Sequence, residues 1–213
     1  MSMQRLVCCW NGRTFPLVPE VQHVPAFRRP MVWRALNARE NEFGMFIAAG
    51  LGGPLIGVLA RIIDSDINTA TGTFSITLYC TSRFRVVELQ PFGDCTLANI
   101  EPYDDISAAD EALAEARETA GYHSHDPSPP VTRENMGRLP TSVLVDSAIR
   151  VIGEHLASRR VAWFNRTTPL EAAQLATHPA VFPWWLVNKL PVGIPQRVRL
   201  LATTSRRERF KIC

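Results

Sequence analysis

The 213-residue sequence contains no uninterrupted apolar stretch near the roughly 20 residues that a helix needs to cross a bilayer. Its first ten residues hold one arginine and a very short apolar run, unlike a secretory signal. The basic excess is also small, 23 Lys and Arg against 20 Asp and Glu, which gives little reason to expect a nucleic-acid-binding protein. These absences predict a soluble cytoplasmic protein that contacts no membrane, with the nucleus as an alternative location.

The cysteines are irregularly spaced. The five residues are Cys8, Cys9, Cys80, Cys95 and Cys213, and no two of them form a C-x-x-C pair. An odd number without regular spacing is a poor disulfide framework. The neighbours Cys8 and Cys9 cannot easily place two thiolates on one tetrahedral ion, so we expect no metal site.

Catalytic motifs are missing as well. The chain has no G-x-x-x-x-G-K-[ST] phosphate loop, no G-x-G-x-x-G dinucleotide fingerprint and no G-x-S-x-G nucleophile elbow. None of the cysteines has the local context of a nucleophile. We therefore expect no catalytic residue and no cofactor, and predict that the chain is not an enzyme.

The first hundred residues predict strands. Residues 73–80 alternate strictly, so Phe74, Ile76, Leu78 and Cys80 share one face. Short strands are also predicted at residues 43–48, 55–64, 84–89 and 95–100. Several short strands joined by turn-rich loops favour a barrel or a sandwich over βαβ units.

The second half predicts helices, which makes the chain α+β. Ser107 with Asp110 resembles a capping box and begins an exposed helix, which the Pro-rich linker 121–140 follows. After residue 141, an apolar stripe at helical spacing predicts a packed helix; it consists of Val145, Ile149, Ile152 and Leu156. Thr168-Pro169 and Ser205–Glu208 predict two further helix starts.

Two charged stretches stand out, and the second has two interpretations. Seven acidic residues lie between Glu101 and Glu118, which is typical of a solvated helix face. Six basic residues near the end could contact phosphates, or could complement helix dipoles and the acidic helix. They are Arg197, Arg199, Arg206, Arg207, Arg209 and Lys211. No aromatic residues alternate with them for base stacking, so nucleic acid is the less favoured partner.

The tandem Trp184-Trp185 is the most unusual local feature. Adjacent helical positions point about 100° apart, so both indoles are buried only where the helix lies between two layers. One interpretation is that they join the helical half to the strand half. The other is a peptide-anchoring surface, because Trp is a common interface anchor.

An ordered set of short motifs runs along nearly the whole chain. The first half contains Phe15-Pro16-Leu17, Glu42-Phe43-Gly44-Met45-Phe46-Ile47, residues 56–62 and Thr81-Ser82-Arg83-Phe84-Arg85-Val86. The second half contains Phe182-Pro183-Trp184-Trp185-Leu186, Leu190-Pro191 and residues 204–209. Together they resemble the LON substrate-binding domain, the N-terminal domain of Lon proteases, and most closely the C-terminal LON domain of RING-type LON proteins.

The resemblance implies a PUA-like β-barrel over residues 15–105, an exposed helix and Pro-rich linker over 106–140, and a helical subdomain over 141–213. Residues 23–30 keep little of the family's H-x-F-E-P-R-Y-R motif, which points to a truncated second strand and incomplete barrel closure. Residues 1–14 are an uncertain N-terminal segment in this division.

The resemblance also implies a non-enzymatic module that recognises segments of client proteins or peptides in a proteolysis or ubiquitination pathway. The predicted binding surface is a groove near Arg83, Phe84, Arg85, Trp184 and Trp185. One alternative is a fragment of a RING-type ubiquitin ligase that lacks its RING, with ubiquitination machinery as a partner. Because PUA-like barrels elsewhere bind RNA, a nucleic-acid-binding domain is the other alternative.

Overall fold

The computed structural model describes residues 3–9, 16, 19–38, 41–47, 54–68, 73–122, 130–157, 168–178, 180–190 and 192–212. Within these residues the chain has six strands and seven α-helices, which confirms the α+β class. It divides into two compact units. Unit 1 is Met1–Asp104 with Gly193–Ala202, and unit 2 is Asp105–Val192 with Thr203–Cys213.

Unit 1 holds all six strands and two of the helices. The strands are β1 (Met3–Cys9), β2 (Pro19–His23), β3 (Glu42–Ile47), β4 (Ile56–Asn68), β5 (Thr73–Phe92) and β6 (Cys95–Pro102). The helices are α1 (Arg29–Leu36), which a single 3-10 turn precedes, and α6 (Ile194–Ala202). No helix of the described residues is long and apolar enough to cross a membrane.

Five strands of unit 1 pair in a closed path, from β5 through β4, β3, β1 and β6 back to β5. The sheet order is β2-β5-β4-β3-β1-β6, and β5 pairs with β6 in addition. β1 runs parallel to β3 and antiparallel to β6, so it connects β3 to β6 within this path. β1 therefore gives residues Met3–Cys9 of the N-terminal segment a defined place in the sheet. β2 pairs with β5 from Pro19 to His23 and is no part of this closed path.

Strand β5 is longer than the sequence predicts. The predicted strands 73–80 and 84–89 form one strand from Thr73 to Phe92, which pairs first with β4 and then with β6. The alternation prediction is confirmed, because Phe74, Ile76, Leu78 and Cys80 are all buried. The predicted opening strand around residues 15–17 lies outside the described residues except for Pro16.

The interior of the closed path is filled by a small apolar cluster. Its buried members are Val7, Phe46, Leu59, Phe84, Ala98 and Ile100. The Phe84 ring occupies space that Gly44 and Gly57 leave open. A Cβ on Gly57 would lie 2.6 Å from the Phe84 Cζ and would collide with the Met45 carbonyl oxygen.

Helix α6 belongs to unit 1, although the sequence analysis grouped its residues with 141–213. The Arg83 Nη1 donates a hydrogen bond to the Leu201 carbonyl at 2.5 Å, and the Tyr103 hydroxyl donates to the Ala202 carbonyl at 2.8 Å. The Arg83 guanidinium also lies over the Tyr103 ring. A cation and a hydroxyl thus satisfy carbonyls at the C-terminal end of α6, where the helix dipole is negative.

Unit 2 holds the remaining helices, α2 (Ala108–Thr119), α3 (Thr141–Ala157), α4 (Thr168–Ala176), α5 (Phe182–Lys189) and α7 (Arg206–Ile212). The capping prediction for α2 is confirmed, because the Ser107 hydroxyl accepts from the Asp110 N–H. Helix α2 has no buried residue, as expected for an exposed helix. In the stripe predicted on α3, Ile152 is buried, and Val145 and Ile149 pack against the same core; the Leu156 side chain lies outside the described part.

Part of the predicted linker is core rather than spacer. Leu139 is only 2% exposed and belongs to the apolar cluster of unit 2, against which Val131 and Met136 also pack. Prolines and polar residues dominate the composition of 121–140, so the few apolar residues give a weak signal on their own. Residues 123–129 of the predicted linker lie outside the described ranges.

Two arginines are buried in unit 2. Arg207, 1% exposed, donates from Nε to Glu118 at 2.7 Å and from its two Nη atoms to the carbonyls of Leu139 and Gly137. Arg209 is fully buried and forms a two-armed ion pair with Asp105. For these residues the basic run complements acidic residues within the chain, which was one of the two interpretations of the sequence.

We predict that Gly57→Ala lowers the free energy of unfolding by about 1–3 kcal/mol, because the new methyl group collides with fixed backbone in a packed core. Gly153→Ala on α3 is the control, since a Cβ there meets nothing within 4 Å. It should stabilise the chain by up to about 1 kcal/mol. Urea denaturation of both variants measures the difference, and equal midpoints would contradict the described packing around Phe84.

We predict that stability falls in acid partly through Glu118. Burial alone raises the pKa of this carboxyl, but hydrogen bonds from Lys211 and Arg207 outweigh it, so the pKa lies below its ordinary value of 4.5. A carboxyl with a lowered pKa stabilises the fold above pH 4.5 and loses this contribution as the pH falls through the pKa of the folded state.

Glu118→Gln should therefore be less stable than the wild type at pH 6 and approach it at low pH. Glu134→Gln, at an exposed turn position, is the matched control and should keep the wild-type acid dependence. Urea midpoints from pH 6 to pH 2.5 test this. Parallel curves for wild type and Glu118→Gln would show that the pairing has no net effect.

Candidate functional site

The five residues predicted to bind peptide lie on two elements. Arg83, Phe84 and Arg85 are consecutive in β5 of unit 1; the first two are buried, whereas Arg85 is exposed and forms an ion pair with Glu101 at 2.8 Å. Trp184 and Trp185 are consecutive in α5 of unit 2. Their shared role in peptide binding stays a prediction.

Both indoles are buried. Trp184 is 2% exposed, and the Arg209 guanidinium lies 4.1 Å from the centroid of its ring. Trp185 is 6% exposed and stacks on Phe182 with the ring centroids 5.8 Å apart. The Lys189 ammonium lies 5.6 Å from the centroid of the Trp185 ring. Buried aromatic and cation–π contacts of this kind stabilise the fold and leave little indole surface for a ligand.

An apolar cavity of about 300 Å³ lies within unit 2. Helix α3 provides one wall, and the segment before it, the end of α5 and helix α7 provide the others. The lining residues are Val131, Met136, Leu144, Ser147, Ala148, Val151, Ile152, Leu186, Leu190 and Phe210. Val151 is exposed and Val131 and Met136 are half-buried, so the cavity opens to solvent along this side.

The chemistry of the lining suits an apolar group. Ser147 carries the only polar side chain among the lining residues, and none of them is charged. The Arg150 guanidinium reaches the Ser147 hydroxyl at 3.4 Å and lies beside the opening. The volume accommodates one or two large aliphatic or aromatic side chains, near the lower end of the range for ligand pockets.

Two ring contacts connect Trp185 to the wall of this cavity. It stacks on Phe182, and Phe182 packs against Phe210 with the centroids 5.7 Å apart. Phe210 and Leu186, the neighbour of Trp185 in α5, are both lining residues. Of the five predicted residues, Trp185 is thus connected to the cavity as a support for its wall.

The position of Phe210 depends on the N-terminus of α7. The Ser205 hydroxyl accepts from the Glu208 N–H at 3.1 Å, which confirms the predicted cap. The other free N–H groups, of Arg206 and Arg207, donate to the Glu111 carboxylate, which also accepts from the Ser205 hydroxyl at 2.6 Å. One side chain of α2 therefore satisfies two N–H groups that the first turn leaves without an intrahelical partner, and fixes α7.

Sequence reasoning missed the cavity itself. Its α3 wall could be found from the stripe that contains Ile152, but Val131 and Met136 were assigned to a linker. A cavity arises where packed elements leave space, and no local sequence pattern reports such a space. Within the described ranges, no group of three or more His, Cys, Asp or Glu residues could hold a metal ion.

Comparison with known proteins identifies the fold. A Lon N-terminal domain protein from Xanthomonas campestris is similar to 98% of this chain over 95% of its own, with a TM-score of 0.59 and 18% identity. The N-terminal domain of a Mycobacterium avium complex Lon protease is similar over 99% of this chain and 95% of its own, with a TM-score of 0.66 and 14% identity. The chain has the fold of Lon N-terminal domains, as the motifs implied.

No protein-family model and no curated protein sequence matches the chain at a significant level. The identities to the solved structures are low, so these likenesses describe the fold and not the activity.

We predict that Glu111→Gln lowers the free energy of unfolding by about 1–3 kcal/mol, because an amide nitrogen would face donors that now share a carboxylate. Glu134→Gln is the matched control for the change of charge and should have little effect. Denaturation curves compare the two variants. If both have the wild-type midpoint, Glu111 does not hold α7 in place.

Proposed function

We propose that the chain is a non-enzymatic recognition module that binds segments of client proteins and does not transform them. The open apolar cavity of unit 2 carries this proposal, and the fold of Lon N-terminal domains supports it. In this proposal the closed path of strands in unit 1 is a PUA-like β-barrel, and the helices of unit 2 form a bundle.

The expected ligand is a segment of polypeptide with a large apolar side chain. Burying one Leu or Phe side chain contributes about 1.5–3 kcal/mol, which alone corresponds to weak binding. Folded clients keep such side chains inside, so the cavity would select unfolded or damaged chains. Weak binding at single sites suits a module that samples many clients.

The predicted binding residues take unequal parts in this proposal. Trp185 supports the Phe210 wall through Phe182, so its effect on binding would be indirect. Arg83 and Phe84 are buried in unit 1, and Arg85 is the exposed member of the three. Their contribution to peptide binding stays a prediction, as does the cytoplasmic location.

The two alternatives have less support. A nucleic-acid surface would need basic residues that are available to phosphates, but Arg207 and Lys211 pair with Glu118, and Arg209 pairs with Asp105. The ligase alternative, a fragment without its RING, stays a prediction, and its zinc-held RING would lie outside the described residues.

We predict that Ala148→Phe weakens client binding at least tenfold by filling the cavity from α3. The probe is a fluorescein-labelled, reduced and carboxymethylated lactalbumin, which is permanently unfolded, and fluorescence anisotropy measures its affinity. Ala173→Phe is the matched control, because Ala173 is an exposed residue of α4 outside the cavity lining. Circular dichroism should show that both variants remain folded.

If the two variants bind the probe with equal affinity, the cavity is not the binding site, and the chain recognises clients through another surface. No binding by the wild type, to this probe or to a tiled array of its peptides, would contradict the proposed function. Autoubiquitination by the chain with E1 and E2 would instead support the ligase alternative.

A further inference from the structure

Two cysteines face each other across strands β1 and β6. The antiparallel register pairs Leu6 with Leu97 and Val7 with Thr96. This ladder ends at Val7 and Thr96, and both strands continue beyond it, so the same register carried one step further sets Cys8 opposite Cys95. Residues opposite each other in antiparallel strands share one face and have Cα atoms about 4.5–5.5 Å apart. This separation lies within the range that a disulfide spans, about 4.4–6.8 Å.

The pair lies on the outer face of the sheet. Val7, Ala98 and Ile100 belong to the interior cluster of unit 1. Because side chains alternate along a strand, Cys8 and Cys95 point to the opposite face. There both line a second cavity, of about 270 Å³, together with Arg28 and Met31. This cavity offers a small reagent an approach to the pair, of which Cys95 is buried and Cys8 is partly exposed.

We propose that Cys8 and Cys95 are a redox-sensitive pair that hydrogen peroxide, or another two-electron peroxide oxidant, converts to a disulfide. The first thiolate attacks the O–O bond and becomes a sulfenic acid, and one water is released after proton transfer. The second thiol then attacks this sulfur, forms the S–S bond and releases a second water. Two thiols lose two electrons and two protons, and one peroxide becomes two waters.

The surroundings slow the oxidation of the pair at neutral pH. Burial raises the pKa of the Cys8 thiol to about 12; the Arg28 guanidinium opposes this, and Cys9 and Cys95 add to it. Burial, together with the hydrogen bond from the thiol to Asp94, also raises the pKa of Cys95, against the charge of Arg34. The thiolate is the reactive form, so the rate of oxidation should rise about tenfold per pH unit from pH 7 to pH 9.

The other described cysteines are poorer partners for this pair. Cys9 also lines the second cavity, but it is the neighbour of Cys8 in an extended strand, where successive side chains alternate between the two faces. Cys80 is buried in β5, where it pairs with Ala60 of β4.

A bond between Cys8 and Cys95 would join the first strand of the closed path to the last. It would tie β1 to β6 at the end of their ladder and close the chain from residue 8 to residue 95. Cross-linking a loop of this length restricts the unfolded chain and is expected to raise the melting temperature by about 10 °C.

The test is oxidation of the full chain with hydrogen peroxide at pH 9. The number of free thiols, measured under denaturing conditions, should fall from five by at least two, because the exposed Cys9 can react with peroxide as well. Tryptic mapping without reduction should find the peptides of Cys8 and Cys95 joined, and the melting temperature should rise and return after dithiothreitol. Cys8→Ser and Cys95→Ser should lose the rise, whereas Cys9→Ser and Cys80→Ser should keep it.

Peptide mapping of the wild type needs no variant, so it decides the question even where a substitution impairs folding. A disulfide that joins Cys8 to Cys9, or two chains to each other, would overturn the proposal. Five free thiols after prolonged oxidation at pH 9 would do so as well. None of these outcomes bears on client binding by unit 2.

Discussion

The burial of the Arg207 guanidinium is the constraint on which the helical unit depends. A buried cation without partners costs several kcal/mol, so every donor must be placed. Arg207 reaches α2 through Glu118 and the segment before α3 through the carbonyls of Gly137 and Leu139. The Arg207 side chain thus connects three parts of unit 2, which are its own helix α7, helix α2 and the segment before α3. The apolar core, with Leu139 in it, forms around this arrangement.

Local patterns in the sequence predicted the elements that are decided locally. The alternation in residues 73–80 and the caps at Ser107 and Ser205 depend on near neighbours only, and the structure confirms them. The length of β5 was not predictable in this way. Thr81, Ser82 and Arg83 suggest a break in the strand. Arg83 is nevertheless buried, because a carbonyl of α6, which is distant in sequence, accepts a hydrogen bond from its guanidinium.

The candidate site shows the same limit. Trp184 and Trp185 are conspicuous in the sequence, yet the structure buries both rings, and the solvent-accessible cavity uses ordinary aliphatic residues such as Ala148 and Leu190. Unusual residues mark places where packing is demanding, and these places need not be where a ligand binds. The acidic residues of α2 likewise read as a solvated face, although Glu111 organises the start of α7.

The division of unit 1 between Met1–Asp104 and Gly193–Ala202 has a consequence for biosynthesis. A ribosome adds about 5–20 residues per second, so the six strands emerge several seconds before helix α6 exists. During this interval Arg83 lacks the Leu201 carbonyl as an acceptor. The nascent strand unit therefore passes through a stage in which the surface that α6 later covers is open to water, when a holding chaperone would be most useful. A version truncated after Asp104 would remain at that stage permanently.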